Sequence, residues 1–230
     1  LYLRGRGNTY VRELKIKSNE TCRIKLSGNI ESLLDFETVE KGMHPVMGYY
    51  TFATLFSYSS YITDASALKL PASTLAASCY EGMFYDCASL TAAPKLPAST
   101  LADCCYEDMF HGCASLTKAP ELPASTLAAS CYKDMFSGCA SLTAAPELPA
   151  TTLADSCYSG MFRGCKALTE APELPASTLA KSCYEGMFRD CASLTKAQKL
   201  PAITLAAFCY SWMFGYCASL TAAPELPATT

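Results

Sequence analysis

The dipeptide Leu-Pro begins at Leu70, Leu96, Leu122, Leu148, Leu174, Leu200 and Leu226, a strict period of 26 residues. Around it, "CYEGMFYDCASLTAAPKLPASTL" from Cys79 returns as "CYEDMFHGCASLTKAPELPASTL" from Cys105, so six full copies occupy 70–225 and a seventh starts over 226–230. A fixed period of this length marks a solenoid, because no copy buries its apolar side alone and neighbouring copies do so for one another. Residues 44–69 fit the same phrase, with Leu55 and Phe56 in the Met-Phe places and two extra residues before Leu70, and read as a degenerate capping repeat. In residues 1–43, Val11, Leu14 and Ile16, then Cys22, Ile24 and Leu26, alternate with charged side chains, which predicts a small N-terminal β cap.

Within the copies, the columns led by Leu75, Ala76, Cys79, Tyr80, Met83, Phe84 and Cys87 never change, whereas those led by Ala77, Ser78, Glu81, Gly82, Tyr85 and Asp86 vary freely. Fixed and free pairs alternate every four residues. That spacing predicts a helix over 75–85 with one buried and one wet face, capped by Ser73 or Thr74; Gly82 and Gly160 weaken it locally toward a 3₁₀ turn. The remainder, "ASLTAAPKLPAS", sets Leu90, Ala93 and Leu96 against Thr91 and Lys95, is too short for a second helix and carries prolines, so it reads as a short strand. The predicted fold class is therefore α/β. Strands stacked in parallel at about 4.8 Å line one face, and bulkier helices on the other bend the array into an arc.

Twelve of the 14 cysteines follow the repeat, in the Cys79 and Cys87 columns; Cys22 and Cys104 stand outside. Helices stacked roughly 8–10 Å apart would hold successive Cys79-type residues beyond the limit of about 7 Å for a disulfide. The columns then read as buried thiols acting as small hydrophobes, and Cys104, in a wet column, is the thiol expected to react. His44 and His111 are the only histidines and no Cys-x-x-Cys pair occurs, so neither a metal nor a cofactor is expected. No Gly-rich phosphate loop or Ser-His-Asp set can be assembled, which points away from an enzyme. The invariant Thr74 and Thr91 hydroxyls fit local capping of backbone amides better than a ligand-binding ladder.

The stretches "LPASTLA", "MFYDCASLT" and "APELP" closely resemble the BspA-like leucine-rich repeats of bacterial surface proteins, most of all the long Met-Phe version of Bacteroides-type gut bacteria. The resemblance spans about Tyr50 to Thr230; the family pattern runs a few residues shorter and prefers Ile or Val at positions such as Ala93. It implies a leucine-rich-repeat-like right-handed solenoid on an exported protein, secreted or held at the cell surface, with room for a lipid anchor on the full precursor. It also implies adhesion to host proteins or other cells, without catalysis.

A net charge of −3 with both signs scattered gives no electrostatic reason to expect nucleic acid or an anionic membrane as partner. No run of eighteen apolar residues could span a bilayer, and "LYLRGRGNTY" lacks the apolar core of a signal peptide. A start at Leu1 and an end within a repeat fit a trimmed chain whose export signal has been removed.

Two groups are candidate binding residues. Glu121, Glu147 and Glu173 share one strand column, roughly 5 Å apart and flanked by Lys95 and Lys199. They could receive a basic partner or a cation; the plainer reading is a solvated sheet face partly neutralised by Lys118 and Lys196. Phe208, Trp212 and Tyr216 stand at i, i+4 and i+8 of the sixth copy, where the first has Ser78, Gly82 and Asp86. Repeat packing does not require these rings. They read as a docking surface for a protein or a second copy, as a sugar-stacking platform, or as a patch covered by a segment beyond Thr230. The sequence thus predicts a non-enzymatic recognition or adhesion module for a host protein or another cell surface, the alternative being a carbohydrate-binding accessory protein that presents glycan.

Overall fold

Every fourth residue of the segment expected to be helical has a positive φ: Ser78 at 53°, Gly82 at 56° and Asp86 at 54° in the first copy. No α-helix tolerates that, and the computed structural model, which describes residues 3–12, 14 and 22–227, has a ribbon of turns there instead. The N–H groups of Cys79, Met83 and Cys87 donate to the carbonyls of Ala76, Tyr80 and Phe84 at 3.1–3.3 Å. With φ positive at the third residue, these are successive type II turns. The intervening N–H groups of Ser78, Tyr80, Gly82, Phe84 and Asp86 donate to Asp103, Cys105, Glu107, Met109 and His111 of the next copy at 2.7–3.0 Å. Backbone donors therefore alternate between their own turn and the neighbouring copy.

This geometry accounts for the composition of the columns. A helix of 3.6 residues per turn would rotate an every-fourth-residue pattern by about 40° at each step, carrying it off any one face. The turn ribbon returns each quartet to the same side. Met83 and Phe84 are fully buried (0 % exposed), and so are Cys79 and Cys87. The rings pile along the array: Tyr80 lies 5.8 Å from Tyr106, and Phe84 lies 5.5 Å from Phe110, nearly parallel in both cases. The left-handed columns are filled by Ser, Gly, Asp and, once, Cys104 from the first copy to the fifth. Gly and Asp are residues for which positive φ is comparatively cheap.

The copies are thus joined by backbone hydrogen bonds rather than by packed helices, so the helical spacing expected between Cys79-type residues does not apply. All fourteen cysteines are nevertheless free thiols. The Cys87 column has a bonding role: Cys113 Sγ donates to the Phe84 carbonyl at 3.2 Å and Cys139 Sγ to that of Phe110 at 3.2 Å, each reaching back one copy.

The strands expected in each copy are also missing. Pro94 and Pro97 remove two donors within four residues, and the equivalent segments meet at isolated bridges such as Glu170 with Lys196 and at scattered single bonds such as that from the Ser115 N–H to the Ala88 carbonyl. Leu90 and Leu96 still point into the core. Between adjacent segments lie grooves, one of about 560 Å³ bounded by Pro94, Lys95 and Glu121, the next of about 420 Å³ bounded by Pro120, Glu121 and Glu147. The hydrogen-bonded face is the ribbon of turns and the open face carries the prolines, the reverse of a sheet-faced array.

At the N-terminal end, β1 (Ile24–Asn29) pairs in parallel with β2 (Ile62–Lys69), and Ala65 of β2 donates to Ala92 of the first copy. Residues 50–58 repeat the ribbon, with Phe52 and Phe56 donating to Cys79 and Met83. Val11 and Leu14 donate to Thr51 and Leu55 in turn; Ile16 lies outside the described residues. The leading segment is not all β, since α1 (Ser32–Glu40) follows β1. Ile30 and Leu34, one helical turn apart, are both buried. Asp35 is extended (φ −151°, ψ 101°) and kinks α1, its Oδ1 accepting from the Glu37 and Thr38 N–H groups like an internal N-cap.

Candidate functional site

Phe208, Trp212 and Tyr216 occupy the left-handed column positions of the sixth copy, at φ 59°, 56° and 61°. For a residue with a Cβ this conformation costs roughly 1–2 kcal/mol; the first five copies meet it with small or short polar side chains, while the capping ribbon sets Tyr50 and Tyr58 there, at φ 55° and 60°. Three bulky rings there are a local conflict that packing does not repay, since they are 65 %, 60 % and 64 % exposed. Backbone strain of this kind concentrates at binding sites.

The rings are arranged. Trp212 and Tyr216 stack at 6.2 Å with planes 17° apart. The Arg189 guanidinium of the preceding copy lies 5.5 Å from the Trp212 ring and 5.4 Å from that of Tyr216, inside cation–π range. Arg189 Nε is also 3.5 Å from Asp190 Oδ2. Ile203, Leu205 and Leu226 are further exposed apolar residues of the same end of the array. The sixth copy therefore combines exposed aromatic rings with the guanidinium of the fifth.

The other expected residues are not drawn together. Glu121, Glu147 and Glu173 are exposed, and no backbone ladder holds them at strand spacing, because the proline segments that carry them are separated by grooves. Lys196 pairs with Glu170 at 3.8 Å and Lys199 with Glu225 at 4.0 Å, so neither neutralises this row. Cys104 is half-buried, and burial, reinforced by Glu107, pushes its thiol up to about 12. It stays protonated at neutral pH, against the expectation that it would react. Among the described residues no group of three His, Cys, Asp or Glu gathers as metal ligands, and no helix is long and apolar enough to cross a membrane.

Arg189 is the member of the site that column reading passed over. Its own column is variable, running through Tyr85, His111, Ser137 and Arg163, and its role depends on a contact across copies. Aligning the fifth and sixth copies places it beside the rings, and that was the available signal.

No family model matches the chain, and no curated protein matches it either. Among solved structures, a leucine-rich repeat protein of T. pallidum (TpLRR) is similar at a TM-score of 0.42 and 21% identity, over 75% of this chain and 69% of that one.

Proposed function

We propose that this protein is a non-enzymatic recognition module of the leucine-rich-repeat type that docks a protein partner through Phe208, Trp212, Tyr216 and Arg189. The observation that carries the reading is the placement of three exposed rings at left-handed backbone positions, where they oppose local stability and so call for a benefit outside the fold. Exposed aromatic and arginine residues in one patch are the composition of binding hot spots. A protein is favoured over a sugar because the Arg189 guanidinium lies over both the Trp212 and Tyr216 rings, adding a cation and hydrogen-bond donors to the apolar patch. The BspA-like resemblance adds export and a place at the cell surface to this reading, with host proteins or other cells as targets.

Trp212 is the single tryptophan of the chain, so its fluorescence reports on this face alone. Titration with purified extracellular-matrix proteins is expected to shift and saturate its emission, and the response should vanish in R189A/Y216D. Saturation by polysaccharides but by no protein would transfer the site to the carbohydrate reading. Partner binding that leaves Trp212 emission unmoved and survives R189A/Y216D would remove this face from the function.

A further inference from the structure

The sixth copy is not alone in carrying rings at left-handed positions. In the capping ribbon, Tyr50 and Tyr58 occupy the columns of Phe208 and Tyr216, at φ 55° and 60°. Tyr58 is 72 % exposed and packs on Tyr85 at 5.5 Å, which stacks in turn on His111 at 4.6 Å. Both sets of rings belong to one face. In the core beneath it, the six steps from Phe52 to Tyr210 place rings 5.8–5.9 Å apart and within 13° of parallel, so the ribbon turns little over roughly 35 Å. One side of a standard protein–protein interface, about 800 Å², reaches across about 30 Å.

Charge on this face is uneven. The variable ribbon columns of the first two copies hold five carboxylates, Glu81, Asp86, Asp103, Glu107 and Asp108, and no Lys or Arg. The four cations of these columns, Lys133, Arg163, Lys181 and Arg189, all lie in the third to fifth copies. Lys133 reaches back to Glu107 at 2.7 Å, and His111 lies 3.1 Å from Asp108. Negative charge is still crowded here: burial, reinforced by the carboxylates of Glu107 and Asp108, pushes the Glu81 carboxyl up.

We propose that the partner docked through the sixth copy is a basic protein, whose lysine- and arginine-rich surface covers the first two copies and reaches Tyr58. The inference rests on the reading of the sixth copy as a docking face and takes the class of partner from charge complementarity along that face. The exposed Tyr58 ring adds a cation–π contact for the same side chains. A nucleic acid or an anionic lipid surface is repelled by these carboxylates.

The test is NMR of the intact protein, following backbone amides and the His111 ring during titration with decaarginine at low salt, with decaglutamate as the control of opposite charge. Saturable shifts are expected over 58, 81–86 and 103–112, with Glu121, Glu147 and Glu173 of the proline face unmoved and no response to decaglutamate. Affinity should fall at least about tenfold between about 50 and 300 mM NaCl, and by a similar factor in E81K/D103K. Absence of shifts with decaarginine, or equal shifts at Glu121, Glu147 and Glu173, would overturn the proposal. Both comparisons use the unmodified protein and decide the matter even if E81K/D103K fails to fold. The response is expected to persist in R189A/Y216D, so failure here and failure of the sixth-copy reading are told apart.

Discussion

The Cys87 column shows how one side chain can satisfy two demands. Its sulfur is small enough for a closed core, and its S–H donates to a phenylalanine carbonyl of the preceding copy. An alanine fills less space and donates nothing, so Cys113→Ala is expected to cost about 1–2 kcal/mol in urea unfolding, the sum of a small cavity and a lost weak hydrogen bond. These thiols are held protonated by burial. Cys104 joins them for a further reason, the acidic side chains around it. In the native protein at pH 8, Ellman's reagent is therefore expected to label Cys104 no faster than the buried columns. Rapid labelling of that residue would show that its thiolate is accessible after all.

At the scale of the repeat element, the turn ribbon rests on left-handed residues whose side chains meet the next copy. A Cβ on Gly160 would overlap Asp134 Oδ1, whereas one on Gly186 meets nothing within 4 Å, although both have φ near 60°. Gly186→Ala should cost about 1 kcal/mol for backbone conformation alone, and Gly160→Ala somewhat more, because the Asp134 carboxylate must turn aside; a lower urea midpoint for Gly186→Ala than for Gly160→Ala would contradict the column packing. The apolar core was legible in the sequence, since the invariant Cys79, Tyr80, Met83 and Phe84 columns are buried; burial is not confined to invariant columns, because Ser78 and Gly82 of the columns read as wet are buried too, while the invariant Thr74 and Thr91 are exposed. The backbone was not legible from the apolar pattern, since over eleven residues a period of four passes for 3.6. The clue lay in the wet columns, where Gly82, Asp108, Asp134 and Gly160 follow one another at a single position. In the proline half, alternation placed Leu90 and Leu96 correctly, but two missing donors opened grooves where a ladder was expected. The aromatic row was visible as a break in a column; its partner Arg189 was not, because contacts across copies are invisible along the chain.

For the whole molecule, stability is shared along continuous stacks, and the buried tyrosines couple it to pH. Burial pushes the phenols of Tyr80, Tyr106 and Tyr158 well above their ordinary value of 10.0. The folded state keeps protons that the unfolded chain releases, so stability is fully present below about pH 10 and falls as pH rises beyond it. We expect phenolate absorbance from these stacks to appear in one cooperative step together with loss of near-UV dichroism; gradual ionisation without unfolding would show that the stacks are open. The sixth copy is then a place where the regularity of the columns is broken, with three aromatic rings where other copies carry small or short polar residues. Thermal unfolding of the triple variant F208S/W212G/Y216D, which restores residue types used at these columns in other copies, tests this most directly. Relief of left-handed strain at Trp212 alone is worth about 1 kcal/mol, so the melting temperature is expected to hold or rise while partner binding is lost. A clear fall in melting temperature would show that the rings support the fold, and the account of the site would not stand.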